Sequence, residues 1–293
     1  MEHNSIKFLS NINIFSPILV CYTKNQRESV TYYYINVYIC ATKTKRIMAE
    51  ITSYKYRVEP QDVDFTLRAS VASIINYMLN VAGTDAHNKG FGVDVLQGAS
   101  CTWVLSRLAV EVYRQPEQYA DIEVDTWVNE FNRLSSTRNF RMRKGEELLA
   151  SGVSQWCMLN METRQVVDMS LLRDVYERAM VAEPSPIASP QRLRATEAAA
   201  SMSRPVVYSD IDFNRHVNTL RYIDLVFDAL PLELIEQNNG LRIDLNFIAE
   251  ARYGETLTIG SRREEGVWYF EISADEGKVL CRAKIEFSNR TTI

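Results

Sequence analysis

Histidine and cysteine are scarce in this chain. Its 293 residues include three histidines, which lie far apart at positions 3, 87 and 216, and five cysteines that form no Cys-x-x-Cys pair. These spacings fit neither the common zinc motifs nor the disulfide framework of a small secreted domain. The sequence therefore predicts reduced cysteines, as in a cytosolic protein, and indicates neither a metal site nor a cofactor.

Long apolar runs and an excess of positive charge are also absent. The most apolar stretch, residues 8–22, is broken by Asn11, Asn13 and Pro17, so we expect no membrane span. A net charge of -4 argues against a general nucleic-acid binder. With 46% hydrophobic and 24% charged residues, the composition is typical of a globular protein.

Residues 1–47 differ in composition from the rest of the chain, since they contain no Gly, Asp or Trp. Their basic, acid-poor character is compatible with an organelle transit peptide. A second interpretation is upstream sequence that precedes a true start at Met48. The scarcity of Arg and the lack of an amphipathic pattern favour this second interpretation. Under either one, we expect residues 1–47 to be an extension outside the fold.

From Met48 onward, one order of elements is predicted twice, in residues 48–180 and again in residues 201–293. Apolar spacing and alternation in the first copy predict a helix at Thr66–Val81 and strands at Ser53–Val58, Cys101–Tyr113, Ile122–Phe131, Thr137–Lys144, Glu147–Asn160 and Gln165–Met169. The second copy has a predicted helix at Asn214–Leu230 and strands at Ser203–Val207, Leu241–Ala249, Thr256–Arg263, Val267–Ala274 and Lys278–Ser288.

The two copies enter their helices in the same way. Val63-Asp64-Phe65-Thr66 leads into the first helix and Ile211-Asp212-Phe213-Asn214 into the second. This repetition predicts an α+β fold with two antiparallel sheets, each wrapped around a long central helix. The Pro-rich stretch 181–200 is predicted to be a linker, in which the Ala-rich run 195–200 is either a short helix or extended chain.

The segment from Asp212 to Asn218 is the strongest candidate for a functional site. Asp212, Asn214 and His216 alternate where the second helix is expected to begin, and a helix N-terminus offers free N–H groups to an oxyanion. Together with Glu250 downstream, they indicate a hydrolytic site for a carbonyl substrate. Structural roles compete with this interpretation: a helix cap for Asp212 or Asn214, a hydrogen-bonding role for His216 and a surface position for Glu250.

Spaced motifs between residues 54 and 287 point to one family. They occur in order as Gly90-Phe91-Gly92, Trp103-Val104, Val124-Asp125-Thr126-Trp127-Val128, Ser154-x-Trp156-x-Met158-x-Asn160 with Thr163-Arg164, and Asp212-x-Asn214-x-His216-Val217-Asn218. Together these segments resemble the motifs of acyl-acyl-carrier-protein (acyl-ACP) thioesterases. The resemblance implies a double hotdog fold, which is two tandem hotdog repeats. It also implies hydrolysis of fatty acyl-ACP to free fatty acid and carrier protein, terminating fatty acid synthesis.

The same resemblance implies that Asp212, Asn214, His216 and Glu250 are catalytic. Glu250 is the candidate general base, Asn214 and His216 are candidates for holding the water or the carbonyl, and Asp212 for orienting them. Spacing does not settle which residue activates the water. Plant members carry a Cys directly after this Glu, where the present chain has Ala251, which excludes a cysteine nucleophile at that position.

The resemblance also implies an acidic partner, the acyl carrier protein, and a dry slot for the acyl chain. A basic docking patch is expected in one of two stretches: Arg133, Arg138, Arg141, Arg143 and Lys144, or Arg192 and Arg194. A solvated face of the sheet explains these basic residues equally well. Candidates for the slot lie in the first copy, around Ile74, Met78, Trp103, Val104, Trp156 and Met158. For any single one of them, a place in the plain core is the favoured interpretation.

Two other functions are weighed against this one: a thioesterase for acyl-coenzyme A, and a non-catalytic acyl-binding hotdog protein. The expected location is the bacterial cytoplasm, or a plastid if residues 1–47 are a transit peptide. The sequence does not fix whether two chains associate into a homodimer.

Overall fold

The computed structural model describes residues 49–238 and 240–288, and the predicted extension at residues 1–47 lies outside these described residues. The strands are β1 (Thr52–Arg57), β2 (Cys101–Val112), β3 (Asp121–Phe131), β4 (Ser136–Lys144), β5 (Glu147–Asn160), β6 (Ala200–Pro205), β7 (Leu241–Phe247), β8 (Thr256–Glu264), β9 (Val267–Ser273) and β10 (Val279–Phe287). The helices are α1 (Val71–Asn88), α2 (Val93–Gln97), α3 (Arg173–Ala179), α4 (Thr219–Asp228) and α5 (Leu232–Gln237).

All ten strands of the described residues form one antiparallel sheet, in the order β1-β3-β4-β5-β2-β7-β10-β9-β8-β6. The first five strands in this order and the last five, taken from the other edge, follow the same connectivity. The expected α+β double hotdog fold is therefore confirmed. Two separate sheets were expected, and this detail is wrong, because β2 and β7 pair edge to edge from Arg107 opposite Asn246 to Val112 opposite Leu241. An unpaired strand edge is a template for such pairing.

The core lies between the inner face of the sheet and the two long helices. Apolar residues at helical spacing on α1, including Ile74, Ile75 and Met78, have no exposed surface. Ile223 and Val226 on the shorter helix α4 likewise have no exposed surface. Removing this apolar surface from water is the main favourable term for such a fold, at roughly 25 cal/mol per Å².

A strand predicted at Gln165–Met169 is not formed. Val166 makes a single isolated bridge with Leu159, and Met169 begins a short 3-10 helix that extends to Leu172. The Asp168 side chain caps this helix by accepting a hydrogen bond from Ser170 N at 2.9 Å. Asp residues compete with sheet pairing in this way, because their side chains satisfy nearby backbone donors.

The segment that joins the two halves crosses the outer face of the sheet. The Trp127 indole donates to the carbonyl of Glu183 at 3.0 Å. Farther along, Gln191 N donates to Asp244 at 2.9 Å, and Asn246 donates to the Gln191 carbonyl at 2.8 Å. These bonds hold the segment extended, and the Ala-rich run continues into β6 without forming a helix.

A buried ion pair lies under the first half of the sheet. Arg138 Nη1 on β4 donates to Asp85 Oδ2 on α1 at 2.7 Å, and Lys89 Nζ lies 2.8 Å from the other carboxylate oxygen. Burial alone would raise the pKa of Asp85, but Arg138 and Lys89 outweigh it and the pKa is lowered. The expectation that Arg138 belongs to a surface basic patch is therefore wrong, since its partner on α1 holds it inside the protein.

Replacing Arg138 with Met is expected to lower the free energy of unfolding by about 3–5 kcal/mol, because it leaves a buried carboxylate with one partner fewer. Urea denaturation at neutral pH measures this loss. The triple variant Asp85→Leu/Lys89→Met/Arg138→Met is the control, since it removes all three charges of the cluster and should recover much of the stability.

The loss in Arg138→Met should also depend on pH. A lowered pKa in the folded state stabilises the protein above the unfolded value of about 3.9, and this contribution disappears as the pH falls through the folded pKa. The gap between wild type and Arg138→Met should thus be full at pH 7 and shrink in acid. A gap below about 1 kcal/mol at pH 7 would contradict a structural ion pair.

Candidate active site

The four candidate residues meet where a loop before α4 lies beside the segment after β7. The loop is closed on itself by a bridge between Ile211 and Val217 and by Asp212 N donating to the His216 carbonyl at 2.9 Å. Arg215 within it has a φ of +64°, in the left-handed region that favours glycine. The loop thus turns the chain sharply just before the helix begins.

The Asp212 carboxylate shapes this loop from inside. Its Oδ1 atom accepts the backbone N–H of Asn214 at 2.8 Å and that of His216 at 3.2 Å. An Asp that accepts from the backbone two residues later is a common way to fix a turn. Asp212 therefore acts on Asn214 and His216 through their backbone positions.

The helix start was predicted too early, at Asn214 instead of Thr219. The left-handed Arg215 cannot belong to a right-handed helix, so the helix begins only after it. Asn218 is the residue that caps α4, since its side chain accepts from Leu220 N at 2.9 Å. The capping role considered for Asp212 or Asn214 is therefore wrong, and both lie in the loop.

Glu250 reaches this loop through the main chain. Val217 N donates to the Ala251 carbonyl at 2.9 Å, and His216 forms an antiparallel bridge with Arg252. As a result, His216 Nε2 lies 3.4 Å from Glu250 Oε2. The histidine side chain is 18% exposed and the carboxylate 38%, so the pair faces solvent from a partly enclosed position.

Two cationic residues that contact Glu250 are not among the site residues predicted from the sequence. The Arg164 guanidinium, from the loop after β5, donates to Glu250 Oε2, and Lys278 Nζ donates to the Glu250 carbonyl at 2.6 Å. Arg164 belongs to the Thr163-Arg164 motif, so the motif itself carried the information. Its partner is 86 residues away in sequence, and spacing alone gives no reason to join them.

A cavity of about 790 Å³ opens beside these residues. Asp212, Asn214, His216 and Glu250 line it at one side together with Arg164. The other walls carry apolar side chains from both halves, namely Leu79, Trp103, Val104, Leu105, Trp156 and Leu159 from the first and Val217, Tyr222, Phe247, Ile248 and Ala249 from the second. Charged side chains of Arg252, Glu255 and Lys278 also line it. An apolar slot beside a few convergent polar groups is the usual form of a small-molecule site.

The acyl slot that the sequence predicted is only partly correct. Trp103, Val104 and Trp156 line the cavity as expected, but Ile74 and Met78 are fully buried in the core. These two side chains point from α1 into the core that the sheet closes. Met158 is likewise buried and belongs to a smaller cluster around Phe91 and Tyr176.

Hydrogen bonds fix both tryptophans of the cavity wall. The Trp103 indole donates to the Phe91 carbonyl at 2.8 Å, and the Trp156 indole donates to Ser154 Oγ, also at 2.8 Å. Because a buried indole N–H needs a partner, each ring has one favoured orientation. The wall is therefore largely preformed.

The first half contains a copy of the same loop without the same chemistry. Asp64 accepts from Thr66 N at 2.8 Å, Leu67 has a φ of +58°, and Ala69 N donates to the Pro116 carbonyl at 2.8 Å. By this correspondence Arg68 takes the place of His216. Gln115 takes the place of Glu250, and its amide donates to the Ala69 carbonyl at 2.9 Å.

Among residues 49–238 and 240–288, no group of three or more His, Cys, Asp or Glu side chains is arranged to hold a metal ion. In the same residues, no helix combines the length and apolar character needed to cross a membrane. The fold and the site together define a hotdog protein with an acid–histidine pair at the mouth of a cavity that is partly lined by apolar side chains.

Comparison with known proteins places the chain in a family. The N-terminal domain of acyl-ACP thioesterases matches residues 49–177, and the C-terminal domain matches residues 193–289. The chain therefore belongs to the acyl-ACP thioesterase family.

Solved structures and curated relatives agree with this assignment. An acyl-ACP thioesterase from Bacteroides thetaiotaomicron shares 34% identity with a TM-score of 0.74, covering 81% of this chain and 98% of that one. The 12:0-ACP thioesterase from Umbellularia californica shares the fold at 21% identity and a TM-score of 0.72, covering 81% and 97%. The chloroplastic oleoyl-acyl carrier protein thioesterase 2 of Arabidopsis thaliana is 25% identical over 72% of this chain. This chain spans only 63% of that relative's length.

The residues that cap the helices after these two loops, Asn218 and Ser70, are expected to contribute similarly to stability. Asn218→Ala should lower the free energy of unfolding by about 1 kcal/mol, because Leu220 N loses its acceptor. Ser70→Ala, which removes the cap of α1 on Ser73 N, is the matched variant and should lose a similar amount. Chemical denaturation measures both losses, and an unchanged midpoint in either variant would show that the cap contributes nothing.

Proposed function

We propose that this protein hydrolyses fatty acyl-ACP, releasing free fatty acid and carrier protein and so terminating fatty acid synthesis. The observation that carries this proposal is the His216–Glu250 pair at the head of an apolar-walled cavity. Membership of the acyl-ACP thioesterase family supports the substrate class. The apolar side chains of the cavity supply a surface for an alkyl chain, and the pair supplies groups that act on water.

Glu250 is the proposed general base. Its carboxylate takes a proton from a water molecule while the water oxygen forms a bond to the thioester carbonyl carbon. The carbonyl oxygen becomes an oxyanion, and collapse of this intermediate breaks the carbon–sulfur bond. The leaving sulfur takes up the proton from Glu250, which restores the carboxylate. A thiolate leaves readily, since its thiol has a pKa of about 8.5, and needs no strong acid.

His216 and Asn214 are proposed to hold the water and the oxyanion. His216 Nε2 lies 3.4 Å from Glu250 Oε2, so one water molecule within reach of the carboxylate is also within reach of the ring. Asn214 lines the cavity and is exposed, which leaves its amide free to donate to the carbonyl. Asp212 acts earlier, by fixing the loop that carries both residues.

Direct attack by water is favoured over a cysteine nucleophile. Ala251 follows Glu250 and is fully buried. Cys157 lines the cavity, but burial raises the pKa of its thiol despite a backbone hydrogen bond that lowers it. A thiol with a raised pKa is a poor nucleophile at neutral pH.

The carrier protein is proposed to approach over the cavity mouth. The bridge between His216 and Arg252 places Arg215 next to Tyr253. Arg215 and Arg252 are both exposed, and neither has an ion-pair partner among the described residues. The predicted basic stretch from Arg133 to Lys144 is less suitable for docking the carrier protein. Besides the buried Arg138, it contains Arg141 and Arg143, which are paired with acidic residues.

A cytoplasmic location and a homodimer stay predictions, as do the boundaries at residues 180 and 200. The two competing functions are separated by one assay that offers matched acyl chains on carrier protein and on coenzyme A. Faster hydrolysis of the carrier-bound chains supports the proposal, and a preference for coenzyme A would replace the substrate. Turnover on neither carrier would favour a non-catalytic acyl-binding protein.

Glu250→Gln should lower kcat by about 10²–10⁴-fold, because the amide cannot take the proton from water. His216→Ala should lower it by about 10²–10³-fold through the loss of a hydrogen bond that strengthens in the transition state. Both are measured by release of free fatty acid from acyl-ACP.

The matched control for His216→Ala is Arg68→Ala, at the corresponding position of the first half, and it should keep most of the activity. Wild-type rates in both Glu250→Gln and His216→Ala, with the fold intact by circular dichroism, would remove the catalytic assignment.

Charge reversal at the cavity mouth should affect carrier-bound substrate selectively. Arg252→Glu is expected to raise KM for acyl-ACP about tenfold, since charges at an interface rim mainly govern encounter. KM for the same acyl chain on N-acetylcysteamine, which has no carrier protein, should stay the same. Arg192→Glu, on the outer face of the sheet, is the control. If Arg192→Glu raises KM instead of Arg252→Glu, docking occurs on the other face.

A further inference from the structure

Glu250 is held by an arginine that comes from the other half of the molecule. Arg164 lies in the loop after β5 of the first half, and its guanidinium donates to Glu250 Oε2 of the second half. Both side chains line the mouth of the cavity. From this geometry we infer that Arg164 is a positioning residue for water activation, an inference that rests on the proposed function.

The contacts of the carboxylate explain what the arginine does. Arg164 and His216 Nε2 both approach Oε2 of Glu250. Within the described residues, nothing donates a hydrogen bond to Oε1. The arginine thereby fixes the rotamer of Glu250 and leaves Oε1 as the free oxygen that takes the proton from water. Because a flexible Glu side chain otherwise samples several rotamers, holding one of them raises the fraction of productive encounters.

The loop that carries Arg164 is built to aim it. Asn160 Oδ1 accepts the N–H of Glu162 at 3.0 Å and that of Thr163 at 2.8 Å. Arg164 N then donates to the Asn160 carbonyl at 2.9 Å. Arg164 itself has a φ of +59°, which costs a residue other than glycine about 1–3 kcal/mol. A strained residue at a site mouth, in a loop held by three hydrogen bonds, fits a role in orienting another group.

The backbone of Glu250 is fixed independently of its side chain. Lys278 donates to the Glu250 carbonyl at 2.6 Å, and the neighbouring Ala251 carbonyl accepts from Val217 N. Loss of Arg164 should therefore release the carboxylate without moving the main chain that carries it. This separation makes the role of Arg164 testable by kinetics.

The experiment compares Arg164→Gln with wild type on a long-chain acyl thioester of N-acetylcysteamine, which has no carrier protein. We expect kcat to fall about 10- to 100-fold while KM changes less than about twofold. Arg133→Gln is the matched control, since Arg133 is also exposed and paired with one acid, Asp168, at 3.4 Å. It should keep the wild-type kcat. A rise in KM on carrier-bound substrate alone would mean that Arg164 docks the carrier, and would overturn the inference.

A second measurement shows whether Arg164 acts through Glu250. Added to Glu250→Gln, the Arg164→Gln change should cost little further rate, because the group it positions is already disabled. Guanidinium ion at a millimolar, non-denaturing concentration should restore part of kcat in Arg164→Ala and none in Glu250→Gln. Equal losses in both backgrounds, or no loss from Arg164→Gln alone, would overturn the inference. Wild-type activity in Glu250→Gln would instead overturn the proposed function.

Discussion

The pairing of β2 with β7 is the constraint on which the rest of the site depends. It joins two five-stranded sheets into one, and its antiparallel register places the beginning of β2 beside the end of β7. Trp103 and Val104 of the first half therefore lie close to the segment that leads from Phe247 to Glu250. An apolar wall and a carboxylate meet there although they are more than a hundred residues apart in sequence. A register shift by one residue would turn one set of side chains to the other face of the sheet.

The two halves share one scaffold but differ in the side chains at the corresponding loop. Both halves use the same loop, in which an Asp accepts backbone N–H groups and a non-glycine residue takes a left-handed conformation. At this loop, within the described residues, the second copy places His216 beside the carboxylate of Glu250, and the first copy has Arg68 and Gln115 at the corresponding positions. In the first copy, Gln115 uses its amide to satisfy the backbone of the loop, and so contributes to structure alone. The first copy supplies instead two tryptophans of the cavity wall and the arginine that contacts Glu250.

The sequence predicted the strands well because their patterns are local. Alternation in β3 and β4 and the turns between strands depend on neighbouring residues only. The predicted helix starts lie five residues too early, since nothing in the amino-acid sequence indicates that Leu67 or Arg215 adopts a positive φ. A glycine at either position would have marked the turn.

The remaining errors come from contacts between distant residues. The sequence alone predicts Arg138 to be a surface cation, and only the fold shows that Asp85 on α1 lies beside it. Arg164 was visible in a motif, but its role depends on the register that brings it to Glu250. The four candidate residues, which the fold brings to one cavity, could be selected from the sequence because three of them share one short segment. The cavity wall could not be selected as reliably, since Ile74 and Trp103 are both apolar and only the fold separates core from surface.

The most direct test of this account is a crystal structure with a long-chain acyl amide of pantetheine, in which nitrogen replaces the thioester sulfur and prevents hydrolysis. The account predicts that the acyl chain lies against Trp103 and Trp156 of the first half. It also predicts that the carbonyl carbon lies beside Glu250, with a water molecule between the two. A chain bound within the second half, or a carbonyl directed away from His216 and Glu250, would contradict a site shared between the two halves.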